Sequence, residues 1–144
     1  MSDSLSPPVF TYRRRIDFAD TDVGGIVHFS RFLVFMETAE HEMLRDRGIN
    51  VHFEHEGTVI GWPRVEVTCR YLKPARFGDA VEVEVRVRRC GQRSMTYDFR
   101  ILRQEHLLAE GQMTSVCCVL HADRPPEAIT IPHVIADKLP GEKP

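Results

Sequence analysis

Residues 30–48, SRFLVFMETAEHEMLRDRG, decide the fold. Phe32, Phe35, Met36, Ala39, Met43 and Leu44 fall at i, i+3, i+4, i+7, i+11 and i+12, a single apolar stripe on an α-helix. Arg45 and Arg47 then put cations at the negative end of the helix dipole, and Gly48 follows as a stop. The spacing predicts one long helix from about Ser30 to Arg47, with the Phe and Met stripe as core.

On either side of this helix the period is two. Val9 to Phe18 alternates apolar with polar residues, and Val81, Val83, Val85 and Val87 alternate with Glu82, Glu84, Arg86 and Arg88. Val59 to Leu72, with Pro63 marking an edge or bulge near its start, Met95 to Leu102 and Leu107 to Leu120 read as further strands. Turns are expected near Gly91 and at Gln104 to His106. One strand, a long helix and then four strands define an α+β fold with an antiparallel sheet of about five strands. A single helix covers one sheet face, so self-association is the expected cover for the remainder.

The 144 residues suffice for one core, and 1–144 reads as a single domain. Residues 1–8 and about 122–144, rich in proline and charge, read as peripheral tails. Nineteen Lys and Arg against 21 Asp and Glu give a net charge of -2, which excludes a general nucleic-acid binder. No apolar run approaches the roughly 20 residues that span a bilayer, and the polar start, Met1 to Val9, does not resemble a secretory leader. Cys69, Cys90, Cys117 and Cys118 lack both CxxC spacing and a secreted disulfide pattern. A reducing cytoplasm is the expected compartment.

The chemistry lies in residues 17–32, DFADTDVGGIVHFSRF. Asp20 and Asp22 sit on a loop running into the helix, and Gly24 and Gly25 let the backbone turn tightly. The first helical amides lack intrahelical partners and carry the positive end of the dipole. A carboxylate beside free amides suits acyl transfer, the amides holding the developing oxyanion. The alternative is turn and capping chemistry alone, for which Asp and Gly are equally suited.

This segment, Asp20-Thr21-Asp22-Val23-Gly24-Gly25-Ile26-Val27 followed by the Phe32 to Gly48 helix, resembles the 4-hydroxybenzoyl-CoA thioesterase family. That family includes the acyl-CoA thioesterases associated with the bacterial Tol–Pal system. The likeness continues more weakly through Arg70 to Asp79 and through the valine strand to Arg93-Ser94-Met95, covering roughly residues 10 to 120. It implies a hotdog fold, an antiparallel sheet wrapped around one central helix, and a homo-oligomer, dimer or tetramer, with sites between subunits. It implies an acyl- or aryl-CoA substrate, with the thioester hydrolysed to free acid and CoA.

Carried over residue by residue, the catalytic carboxylate falls on Asp22, as nucleophile or general base, and the oxyanion donor on the backbone amide of Phe29. Asp20 becomes a structural acceptor. CoA contacts fall on Gln92, Arg93 and Ser94, and Glu37 matches an often acidic position that contacts the acyl group or satisfies a buried partner. Some members carry a tyrosine and a histidine where this chain has Phe18 and Phe29. That departure moves the chain towards the aryl-CoA branch.

His28 stands at a usually aromatic position and reads as packing or surface rather than catalysis. Arg70, Lys73, Arg76, Arg86, Arg88 and Arg89 read as a solvated sheet edge, with Arg93 the candidate phosphate contact. No Gly-x-Ser-x-Gly elbow or phosphate loop occurs, and His52-Phe53-Glu54-His55 is not His-Glu-x-x-His. No metal and no cofactor are expected, CoA being part of the substrate. Two rivals share the fold: an acyl-CoA-binding protein without catalysis, and a hydratase or dehydratase, which needs a histidine paired with an acid.

Overall fold

The computed structural model describes residues 5–141 and 143–144. Residues 1–4 of the expected N-terminal tail lie outside the described residues. The chain runs β1 (Phe10–Arg15), α1 (Phe29–Asp46), β2 (Phe53–His55), β3 (Thr58–Gly61), β4 (Arg64–Tyr71), β5 (Ala80–Cys90), β6 (Ser94–Arg103), β7 (His106–Val116), β8 (Cys118–Val119), β9 (Glu127–Ala128) and α2 (His133–Ala136). The order of strands in the main sheet is β1-β5-β6-β7-β4, antiparallel throughout. The sheet wraps α1, and the α+β hotdog expectation holds. No helix among the described residues is long and apolar enough to cross a membrane.

The valine alternation does what its period requires. Val81, Val83, Val85 and Val87 face inward, while Glu82, Arg88 and their neighbours face out. Met95, Tyr97, Phe99 and Ile101 of β6 and Leu108, Ala109 and Met113 of β7 complete the inner face. Phe35, Met36, Ala39 and Met43 of α1 meet it. Gly111 marks the closest approach, since a Cβ there would lie 2.8 Å from Met36 Cε and 2.6 Å from the Thr68 carbonyl.

The two longest predicted strands each divide. Pro63 cannot donate to a ladder; β3 leaves for a second sheet, β2-β3-β8-β9, while β4 pairs with β7. Leu107 to Leu120 divides in the same way at Cys117, whose amide donates to the Arg93 carbonyl at 2.7 Å. Phe53–His55, for which the sequence reading gives no strand, is β2 of this small sheet.

Within the expected C-terminal tail, residues 127–139 pack onto the rest of the chain. β9 adds to β8, the Ile131 amide donates to the Gln92 carbonyl at 2.8 Å, and Ile131, Ile135 and Leu139 join the core. Burying three large apolar side chains outweighs a composition dominated by proline and charge.

Candidate active site

Asp20 is the buried anchor of the loop, 1% exposed. One carboxylate oxygen accepts from the Asp17 amide at 2.9 Å and from Arg14 Nη2 at 2.7 Å; the other accepts from Arg31 Nε at 2.9 Å. Burial pushes the Asp20 carboxyl up, but the Asp17 amide and the Arg14 and Arg31 guanidiniums outweigh it and hold the group below the usual carboxylate range. Its carbonyl accepts from the His28 amide at 2.9 Å, so both ends of the loop are tied to one residue. Arg14 also lies over the Phe35 ring at 4.5 Å, joining the loop to the core face of α1.

Asp22 is exposed and carries no such partners. Its amide donates to the Ile26 carbonyl and its carbonyl accepts from the Gly25 amide, a tight turn that Gly25 closes at φ 78°. Asp22 Oδ1 accepts from the Gly24 amide at 2.8 Å, and a Cβ on Gly24 would press on that oxygen at 3.2 Å. The two glycines set the direction of the Asp22 carboxylate.

The helix begins one residue earlier than its apolar period suggests. His28 is the cap, Nδ1 accepting from the Ser30 amide at 3.3 Å and hydrogen-bonded to the Ser30 hydroxyl at 2.7 Å. The Phe29 amide, first of the helix, donates to no acceptor among the described residues. Asp22 and Phe29 line one cleft of about 420 Å³ with Ile26, Phe32, Tyr71 and Pro74. Its walls are mostly apolar, with a carboxylate at one side and an open helix terminus at the other.

Tyr71 was not among the candidates. Its hydroxyl donates to the Phe29 carbonyl at 2.9 Å and its ring meets Phe32 edge-on at 5.4 Å, so it buttresses the helix start. The phenol is a donor at neutral pH at its ordinary value, and partial burial, with Cys69 beside it, pushes it up further, to about 12. Alternation along β4 was the available signal, but it could not say which carbonyl the hydroxyl would reach.

The other candidates lie apart. Glu37, 48% exposed, faces Arg64 Nη2 at 3.3 Å; it sits about 12 Å along α1 from Phe29. Gln92 and Arg93 lie in the β5–β6 turn and Ser94 opens β6. Arg15 at the foot of β1 pairs with Ala80, so this turn is at the far end of β5, about 33 Å from the loop end of the sheet. Within one chain Arg93 and Asp22 do not meet. Phe18 is 76% exposed and stacks edge-on with Phe77 at 6.1 Å. Among the described residues no three His, Cys, Asp or Glu side chains converge as a metal-ligand set.

A helix wrapped by an antiparallel sheet is the hotdog architecture, and a carboxylate and an open helix terminus facing one cleft are groups suited to acyl transfer. The family model of the thioesterase-like superfamily matches residues 16–139, and the chain belongs to that superfamily. The acyl-CoA thioester hydrolase YbgC of Escherichia coli is 28% identical over 117 residues, covering 78% of this chain and 84% of the relative. The 1,4-dihydroxy-2-naphthoyl-CoA hydrolase of Microcystis aeruginosa is 26% identical, covering 74% and 77%. The crystal structure of a hypothetical protein from Thermus thermophilus superposes with a TM-score of 0.80 at 33% identity, covering 90% of this chain and 96% of that one.

Proposed function

We propose that the protein hydrolyses an acyl- or aryl-CoA thioester, with Asp22 as the catalytic carboxylate and the Phe29 amide as oxyanion donor. The observation that carries this is the shared cleft, in which an exposed carboxylate and the unpartnered first amide of α1 face the same space. The carbonyl carbon sits beside Asp22 with its oxygen towards Phe29. As nucleophile, Asp22 forms a bond to that carbon, the C–S bond breaks, and water then cleaves the anhydride. As general base, Asp22 takes a proton from a water that adds to the carbon, and that proton leaves on the CoA sulfur. Either route yields free acid and CoA thiol, and either needs only a carboxylate and an oxyanion donor because a thioester carries a good leaving group.

The working form is a homo-oligomer. Phe29 in the cleft is exposed, as are Phe18, Val23 and Phe77 on the loops and Val65 and Val67 on β4, an edge strand of the main sheet. A second copy covers such surface and brings its own Gln92 to Ser94 turn to the CoA end of a cleft that this chain's turn cannot reach. Free Cys69, Cys90, Cys117 and Cys118 fit a reducing cytoplasm.

Asp22→Asn tests the assignment. The amide retains an Oδ1 acceptor for the Gly24 amide, so the turn survives at a cost of about 1 kcal/mol or less. It has neither charge nor basicity, and kcat for the best ester of a CoA panel should fall at least ~10²-fold at matched circular dichroism. Wild-type turnover in this variant would return Asp22 to turn chemistry and favour an acyl-CoA-binding protein without catalysis.

A further inference from the structure

The Phe29 amide belongs to the peptide unit that joins His28 to Phe29, and His28 ties that unit down through three of its own groups. Its amide donates to the Asp20 carbonyl at 2.9 Å, its carbonyl accepts from the Arg31 amide at 2.9 Å, and its Nδ1 accepts from the Ser30 amide at 3.3 Å. A backbone N–H can only donate, so Nδ1 carries no proton and the ring hydrogen is on Nε2. The Ser30 hydroxyl, 2.7 Å from Nδ1, is then a donor as well. The Ser30 amide has no other acceptor among the described residues.

These bonds set an orientation. His28 is extended, with φ -60° and ψ 138°, and Phe29 is the first helical residue, so the direction of the Phe29 N–H is fixed at the joint between them. The Arg31 amide holds the carbonyl end of that peptide, and Tyr71, through its 2.9 Å bond to the Phe29 carbonyl, holds the next one. Without Nδ1 the Ser30 amide is left to water, the first turn loosens, and the peptide between His28 and Phe29 gains freedom to rotate. From Phe32 onward the buried stripe keeps the rest of α1 in place.

We infer that His28 is a positioning residue: its imidazole caps α1 so that the Phe29 N–H points to where the thioester oxygen becomes an oxyanion. The inference rests on the thioesterase reading for that oxyanion and goes beyond it in naming what aims the donor. His28 is not among the residues that line the Asp22 cleft, so the imidazole acts through Phe29 and exchanges no proton with substrate. A side chain with an equivalent acceptor should therefore replace it. Asn accepts from the second or third helical amide and is neutral, as the capping imidazole is, whereas Asp would set a negative charge beside the oxyanion.

The test compares His28→Ala with His28→Asn in the full chain at matched circular dichroism. With the best ester of a CoA panel, the single-turnover rate constant should fall about tenfold in His28→Ala. That is the size of one lost cap, short of the ~10²-fold or more that loss of an oxyanion donor costs. KM should change by less than about twofold, because the cleft walls are untouched. His28→Asn should return to within about threefold of wild type. A full rate in His28→Ala, or a His28→Asn as slow as His28→Ala, overturns the positioning role; the second result would make the imidazole itself the working group. Hydrogen exchange followed by NMR reads the cap without turnover. The Ser30 and Arg31 amides should exchange about tenfold faster in His28→Ala and at the wild-type rate in His28→Asn. If the wild type hydrolyses no ester, the catalytic reading fails, and these exchange rates still decide whether His28 positions the Phe29 amide. Unchanged rates in His28→Ala overturn the inference in either case.

Discussion

Replacing Asp20 by Asn tests whether the loop that carries Asp22 is held by charge. The wild-type carboxylate receives two guanidiniums and one amide while 1% exposed. In the variant one end becomes an NH2 that faces donors, and Arg14 and Arg31 lose their shared counter-ion. Removing one member of a buried pair costs 3–5 kcal/mol in general; the Arg31 side chain is 36% exposed and recovers some hydration, so about 3 kcal/mol is expected. That corresponds to a fall in Tm of roughly 10 °C. The pH dependence gives a second reading. The folded-state pKa of Asp20 is depressed, so its contribution is present above the unfolded value of about 3.9 and is lost as pH falls through the folded value. Wild type and variant should differ by a constant amount above about pH 5, and their melting curves should converge below about pH 4 as the wild type gives up its advantage. Thermal melts by circular dichroism across that range measure both. A variant within about 2 °C of wild type at neutral pH, or a gap that does not narrow on acidification, would refute the argument that these ion pairs hold the loop. Turnover per folded molecule should fall much less than in Asp22→Asn, since Asp20 is buried away from the cleft.

Two further outcomes follow from the proposed function. Arg93→Ala should raise KM for a CoA ester by roughly tenfold with kcat little changed, the pattern of one lost charge-assisted phosphate contact remote from the carbonyl; an unchanged KM in steady-state kinetics returns Arg93 to the solvated edge. Light scattering at micromolar concentration should give a dimer or larger, and an active monomer would remove the partner's turn from the site.

The parts of this structure that were legible in the sequence are those fixed by local period. Helix α1 extends one residue earlier at its start and one less at its end than the stripe suggested, because the apolar pattern says nothing of the residue that caps it. His28 does so with Nδ1, a role that a search for Ser, Thr, Asp or Asn misses. Strand β5 was explicit, since four inward valines alternate with charges. What stayed hidden depends on distant partners. The Asp20 guanidiniums come from six residues before and eleven after it, and Arg64 meets Glu40 across 24 residues. The Asp20 partners fall within one window of 11–18 residues but off any helical or strand period, and the Arg64–Glu40 pair lies beyond such a window altogether. The C-terminal segment was hidden differently: Ile131, Ile135 and Leu139 are spaced four apart, but prolines and charges around them mask an amphipathic turn that docks only because the sheet is already there.

These long-range pairs explain how an otherwise apolar contact gives the cleft its geometry. Burial of the Phe35, Met36, Ala39 and Met43 stripe holds α1 against the sheet, but apolar attraction has no direction and tolerates a small slide along the helix axis. Directional pairs do not. Arg31 near the start of α1 is fixed to Asp20, and Glu40, about 13 Å further along, is fixed to Arg64 on β4. With both ends tied, the helix cannot slide without breaking a buried ion pair. The Phe29 amide, two residues before Arg31, is thereby held opposite Asp22, whose loop depends on the same Asp20. Buried Asp20 thereby sets the distance between Asp22 and the Phe29 amide, the two groups to which the proposed function assigns the chemistry.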